Sequence, residues 1–484
     1  MQNAKLSLYS IIWYFISNIF PALSAFFIFT FSSHSISTEQ LGSITLCTTI
    51  IAILINVSAV GFADAIVNRH DIKKNEIDAI FTLILSLSIL LYILSVLSLL
   101  FLENRGVSPL VTHIYPILGV KLLLDSISFV PLAILSRKME FKKIAVRTIL
   151  CSVLSVFISV PALISHNGFY AIIISLLTTS LVSFSVLWLS AGYKPTLSFS
   201  KQCLSDFYDF GINNCLTKIV NSFNFDNIFL GFFANLSTLG IYGFGKRVLS
   251  IFTDIISSAI SNVSYPIYST LNHDQSDKLK TIYLKTIYFS VLISMPIFMG
   301  LILISDDIIP LVFGEQWVSA VPTIKFFFVF GFLSCIGSLQ LSLIKAKGNT
   351  GWILKYQLFQ QVTTGILALV LAKYGPEYVI MAIVIKTYLT WPYTIFYISK
   401  LLDISAFRYF IVIVKPFPAL IMMTVCFYLL KEEIYSVNLF LYLLVQIFCC
   451  GLVYFLVTFV LFKRDILSIL HMLKSREGAN KFLI

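Results

Sequence analysis

Fourteen stretches of mostly apolar residues follow one another along the chain, separated by short polar intervals. They run near 9–31, 41–66, 77–102, 111–135, 146–165, 170–190, 209–234, 240–266, 286–305, 322–344, 356–373, 378–399, 409–430 and 437–462. Roughly 20 apolar residues make a helix that crosses the hydrocarbon core of a bilayer. The pattern predicts an all-α integral membrane protein of about fourteen transmembrane helices. The first stretch exceeds the roughly 7–15 apolar residues of a secretory signal, and a second span follows at once, so it stays in the count. The intervals are short, and the longest outer one, Asp306–Ala320, contains an apolar stretch expected to pack at the interface.

Composition agrees with that pattern. Of 484 residues 58% are apolar and 12% charged, against about 25% charged in a soluble domain. This excludes a cytosolic enzyme, a secreted domain and a disordered chain. The eight cysteines include no CxxC pair and sit mostly in apolar runs, where they read as small hydrophobes. The six histidines form no metal-ligand spacing, and no phosphate-binding glycine loop occurs. No metal, no cofactor and no ATPase chemistry is therefore expected, and the short loops argue against a membrane glycosyltransferase or polymerase.

The net charge of +11 would suggest a nucleic-acid partner in a soluble protein. Here its placement matters more, and no nucleic acid is expected. With the N-terminus in the cytoplasm, 24 basic residues fall in inner segments and three, Arg105, Lys373 and Lys431, in outer ones. That asymmetry orients the chain with both termini inside.

Ser37-Thr38-Glu39-Gln40-Leu41-Gly42 and Ser237-Thr238-Leu239-Gly240 are alike and both follow an aromatic-rich helix end. The offset of about 200 residues spans six helices, an even number that preserves orientation. The reading is two six-helix lobes, 1–200 and 201–400, related by a pseudo-two-fold along the membrane normal, with two more helices and a basic tail in 401–484. Substrate would sit between the lobes near the midplane.

Seven basic residues fall within spans: Lys121, Lys218, Lys246, Arg247, Lys325, Lys386 and Lys415. Lys325 and Lys415 lie near helix ends and read as snorkelling. The deeper ones must face water or pair with acids, since each costs roughly 2.5–3.5 kcal/mol in lipid. Lys121 and Asp125 are four apart, a spacing that fits either an ion pair fixing helix packing or one wall of an aqueous cavity. Lys246 and Arg247 are adjacent, and Asp254, seven residues on, cannot neutralise both. A cationic cavity of Lys246, Arg247, Lys121 and Lys218 would suit an anion such as a pyrophosphate. Asn221 and Asn224 share a face of the seventh span and read as sugar contacts or as interhelical hydrogen bonds. Asp64 reads as a proton or cation site or as a partner of Arg69, and Asp226 joins it as a candidate for ion coupling.

Several segments carry a wider likeness. They are Gly61-Phe62-Ala63-Asp64-Ala65-Ile66-Val67-Asn68-Arg69, Arg137-Lys138-Met139-Glu140-Phe141-Lys142-Lys143, Leu197-Ser198-Phe199-Ser200, Leu239-Gly240-Ile241-Tyr242 with Lys246, Gly314-Glu315-Gln316-Trp317 before Pro322, and Lys345-Ala346-Lys347-Gly348. In order and spacing the chain resembles Wzx-type polysaccharide flippases, nearest the colanic-acid-exporter-like branch, over roughly residues 5–400. Asp64, Phe244 and Gly245 depart from that pattern. The resemblance supports Lys246 as a cavity residue better than Arg247. It implies a non-enzymatic exporter of undecaprenyl-pyrophosphate-linked oligosaccharides (O-antigen, capsule or exopolysaccharide) in the bacterial inner membrane. A polysaccharide polymerase and a chain-length regulator would be its candidate partners, beside membrane lipid. A small-molecule antiporter of the multidrug-extrusion type shares the fold and is the alternative.

Overall fold

Lipid offers the peptide group no hydrogen-bond partner, so a crossing segment must close its own ladder. The computed structural model follows that constraint. It describes residues 20–59, 66, 72–103, 108–198, 223–271, 276–433 and 439–474. Among them every regular element is helical. The first six are α1 (Phe20–Ser33), α2 (Thr38–Ala59), α3 (Lys74–Glu103), α4 (Pro109–Arg137), α5 (Phe141–Ile164) and α6 (Gly168–Ala191). Then come α7 (Phe225–Phe233), α8 (Leu236–Thr270), α9 (Ser276–Phe313), a 3-10 turn (Glu315–Ala320), α10 (Val321–Ala346) and α11 (Thr350–Leu371). Last are α12 (Pro376–Leu402), α13 (Ala406–Val414), α14 (Phe417–Glu433) and α15 (Leu439–Lys474).

Ten helical stretches among the described residues are long and apolar enough to cross a membrane. The expected spans at 9–31, 209–234, 240–266 and 356–373 fall on α1, α7, α8 and α11, which are not among the ten. In α1 and α7 the described helix is short. In α8 the charges Lys246, Arg247 and Asp254 lower the hydropathy, as Lys355, Gln357, Gln360 and Gln361 do in α11.

Two expected boundaries change. The span at 286–305 is only the apolar middle of α9, whose 38 residues extend about 57 Å at 1.5 Å per residue. Asp306–Phe313, expected in an outer loop, continues this helix. Gly314, at φ 104°, breaks it, and the turn that follows buries Trp317 completely. The span at 409–430 is not one helix either. It is interrupted at Lys415–Pro416, giving α13 and α14, because proline has no N–H to continue the ladder.

The chain forms two compact units. One comprises Tyr9–Phe244 and Gly351–Pro376. Within it α4 packs against α2, α3 and α6. Small hydroxyls tie helices together: Ser58 Oγ lies 2.7 Å from Ser126 Oγ, and Ser24 donates to the Ser152 carbonyl at 3.2 Å. The other unit comprises Met1–Leu8, Gly245–Thr350 and Glu377–Ile484. There α9 is central and packs against α10, α13, α14 and α15. Tyr283 stacks on Tyr409, their hydroxyls lie 3.0 Å apart, and Gln340 donates to the Tyr409 hydroxyl at 3.0 Å.

The two similar motifs meet inside the first unit. Helix α2 begins at Thr38 and α8 at Leu236, and they cross at Gly42 and Gly240. A Cβ on Gly42 would lie 1.8 Å from the Leu236 carbonyl oxygen, and one on Gly240 would lie 1.8 Å from the Thr38 oxygen. The reciprocity describes a local two-fold between the motif copies. Thr38 Oγ1 and Ser237 Oγ close the crossing at 2.7 Å. Each copy caps its own helix: Ser37 Oγ accepts the Gln40 N–H and Asn235 Oδ1 the Thr238 N–H.

Gly42→Ala tests this crossing. Alanine gains about 1 kcal/mol of helix propensity over glycine. Overpacking against a backbone oxygen, which no rotamer change relieves, costs about 1–3 kcal/mol or more. Gly42→Ala and Gly240→Ala should each lower the melting temperature of the purified protein. Gly337→Ala, on α10 with no atom within 4 Å of the new Cβ, should leave it unchanged or raised.

Candidate functional site

In the first unit, α4 turns Lys121 and Asp125 to the same face one turn apart. Lys121 Nζ lies 2.8 Å from Asp125 Oδ2 and donates to Ser180 Oγ on α6, also at 2.8 Å. Both charged side chains are about a quarter exposed, so the pair is partly desolvated and holds α4 to α6. The charge of Asp125 also acts on Arg147 of α5. Arg147 donates to Thr148 Oγ1 at 3.2 Å, while its Nε is buried with no hydrogen-bond partner. Lys121 thus joins an ion pair on α4 to a hydroxyl on α6. Arg147 lies in the second turn of α5.

The end of the seventh expected span carries a second polar cluster in the same unit. Asn224 precedes α7 at its N-cap, and Asp226 and Asn227 are buried in the first turn. Tyr242 of α8 is fully buried and donates to Asp226 Oδ2 at 2.7 Å. Asn227 Nδ2 donates to Thr49 Oγ1 of α2 at 3.0 Å, and its Oδ1 is buried with no hydrogen-bond partner. Of the sugar-contact and coupling candidates, Asn224 and Asp226 therefore stand side by side near one helix start. Lys218, Asn221 and Asp64 lie outside the described residues.

In the second unit, Lys246 and Arg247 are half-buried on α8. Asp254, two turns further on, is exposed. Lys325 does not simply snorkel: it holds both oxygens of Asp306, at 2.8 and 2.7 Å.

One cluster was not legible at all. Asp78 of α3 is fully buried and accepts hydrogen bonds from the Tyr193 hydroxyl and Thr196 Oγ1, both in the chain after α6. Burial and the bond to this carboxylate push the Tyr193 phenol well above its ordinary pKa. Ser198 N–H donates to Thr82 Oγ1 at 3.2 Å, and Ser198 Oγ to the Asn75 carbonyl at 3.3 Å. Nearby, Phe81, Trp188 and Tyr193 pack ring against ring, and Arg137 Nη1 donates to the Ile66 carbonyl at 2.9 Å. Residues from three of the quoted sequence segments, Ile66, Arg137 and Ser198, thus take part in a brace at one end of the first unit.

Comparison with known proteins agrees with this architecture. A family model described as "Polysaccharide biosynthesis protein" matches residues 35–322. The teichuronic acid biosynthesis protein TuaB of Bacillus subtilis (strain 168) is 26% identical, over 74% of this chain and 75% of its own. The lipopolysaccharide biosynthesis protein WzxC of Escherichia coli (strain K12) is 24% identical, over 67% of each. The succinoglycan biosynthesis transport protein ExoT of Rhizobium meliloti (strain 1021) is 22% identical, over 69% and 68%. Among solved structures, the lipid II flippase MurJ in an inward closed conformation superposes with a TM-score of 0.76 at 16% identity, over 94% of this chain and all of that one. An inward-facing MATE family multidrug transporter reaches 0.56 at 16% identity, over 82% and 96%. The fold is that of a multi-pass membrane transporter, and the chain belongs to the polysaccharide biosynthesis protein family.

Proposed function

We propose that the chain is a flippase that moves undecaprenyl-pyrophosphate-linked oligosaccharide repeat units across the bacterial inner membrane by alternating access. One observation carries the reading: adjacent half-buried cations, Lys246 and Arg247, on a helix of a multi-pass chain from a polysaccharide biosynthesis family. A pyrophosphate-sugar head cannot cross roughly 30 Å of hydrocarbon unaided. It needs cations to offset its charge and amides or hydroxyls to replace the water on its sugars. In this reading Lys246, Arg247, Lys121 and Lys218 meet the pyrophosphate, Asn221 and Asn224 meet sugar, and Asp64 and Asp226 are the candidates for proton or sodium coupling. The polyprenyl tail stays in lipid. The lobes 1–200 and 201–400 rock about the cavity, with 401–484 appended and both termini in the cytoplasm. The chain transports rather than catalyses, and hands its product to a polymerase and a chain-length regulator.

The names of the relatives support glycan export over drug extrusion, since TuaB, WzxC and ExoT are all named for polysaccharide or lipopolysaccharide biosynthesis. A drug antiporter for cationic compounds would also favour acids, not cations, in its cavity.

A strain lacking the protein should accumulate complete lipid-linked repeat units on the cytoplasmic leaflet, measured by extraction and sugar analysis. Incomplete units would instead place the protein in synthesis, and altered drug tolerance with no glycan change would support the antiporter. Lys246→Ala should insert normally and abolish export, and full export by that variant would remove the cationic site.

The Lys121–Asp125 pair separates a binding role from a packing role. Asp125→Ala leaves Lys121 without its carboxylate, so it should lower thermal stability, and Lys121→Ala/Asp125→Ala should recover part of the loss. Breaking a fully buried pair costs about 3–5 kcal/mol, and the partial exposure here places the expected loss below that. If Lys121 meets substrate, the double variant should fold yet fail to export. Normal export by a stable double variant would make the pair structural only.

A further inference from the structure

One cavity of the second unit lies outside every residue assigned above. It holds about 490 Å³ between the start of α9 and α13. Four cations line it, Lys280, Lys285, Arg408 and Lys415, with Asp277 the one acid in its wall. Lys280 lies 3.2 Å from Asp277 and 3.8 Å from Asp403. Lys285 and Arg408 have no acidic partner among the described residues. Lys415 sits over the rings of Tyr288 and Phe462 at 5.7 and 5.8 Å, which holds its ammonium at the α13–α14 break. The rest of the wall is mainly apolar, including Leu284, Ile404, Ile411 and Val412. Outside it α13 exposes Phe407 and Phe410, at 72 and 46%.

Lys285 and Arg408 bring two positive charges that no described acid pairs with, and a phosphate group supplies acceptor oxygens for both. The exposed rim of α13 is too apolar for water but suits acyl chains. Charge asymmetry assigns the segments around Lys280 and Lys400 to the cytoplasmic side, where anionic lipid attracts basic residues. We propose that this cavity binds the phosphate headgroup of an anionic membrane lipid, with the acyl chains running along the outer face of α13. The inference does not depend on the flippase reading.

The test uses the full chain in neutral detergent and the anisotropy of fluorescently labelled phosphatidylglycerol, with labelled phosphatidylcholine as the zwitterionic control. The wild type should bind phosphatidylglycerol about tenfold more tightly or better, and the preference should fall as salt rises. Lys285→Gln/Arg408→Gln should lose about tenfold in phosphatidylglycerol affinity and leave phosphatidylcholine unchanged. Lys285→Arg/Arg408→Lys, which keeps both charges, should retain binding. Equal binding of the two lipids by the wild type overturns the proposal without reference to any variant's folding. So does an unchanged phosphatidylglycerol affinity in the Gln variant. If millimolar inorganic phosphate binds the cavity and phosphatidylglycerol does not, the site reads a free phosphate, and the lipid assignment falls.

Discussion

The constraint on which the rest depends is that hydrocarbon solvates neither peptide groups nor charges. The first half of it makes every described regular element a helix. The second half decides where the polar residues go. Lys121 pairs with Asp125, Lys325 with Asp306, and Lys415 rests on aromatic faces. Even serine and threonine side chains turn back to their own helix carbonyls, as at Ser43, Thr45 and Thr49. Helix α8 places two cations, Lys246 and Arg247, side by side and half-buried.

Helix association in lipid gains nothing from the hydrophobic effect, so it relies on close backbone approach and hydroxyl contacts. The Gly42–Gly240 crossing is the tightest example. Two glycines, each four residues into its helix, let backbones touch, and a Thr–Ser hydrogen bond closes the end. The sequence shows that the two motifs are alike. It does not show that they touch, because two copies of one motif satisfy a repeat whether they face each other or not. The same geometry makes the crossing intolerant of any side chain, while Gly337 and Gly451 have open space.

What was legible tracks how local each signal is. The apolar runs gave the positions of the helices, since length and hydropathy are properties of one segment. Their ends were less legible: α9 continues through Asp306 and Asp307 into the turn at Gly314, because a helix need not stop where lipid does. Pro416 interrupts a span, yet Pro131, Pro161 and Pro392 lie inside continuous helices. Neighbouring helices and polar groups can satisfy the freed carbonyl, so proline alone does not mark a break. The Lys121–Asp125 pair was visible from its spacing of four. The Asp78 cluster was not, because its partners, Tyr193 and Thr196, come from the chain after α6.

The brace around Asp78 bears on how the quoted segments should be weighed. Ile66, Arg137 and Ser198 belong to segments that carried the resemblance, yet in the structure they bond to backbone or to hydroxyls at one end of the first unit. Their contacts tie the end of α4 to Ile66 and the chain after α6 to the start of α3. The described polar residues that the proposed reading gives to the sugar lipid lie on α4, at the start of α7 and on α8, and of these Lys246 belongs to a quoted segment. On the proposed reading the cargo meets residues such as Asn224 and Lys246, which take no part in the brace.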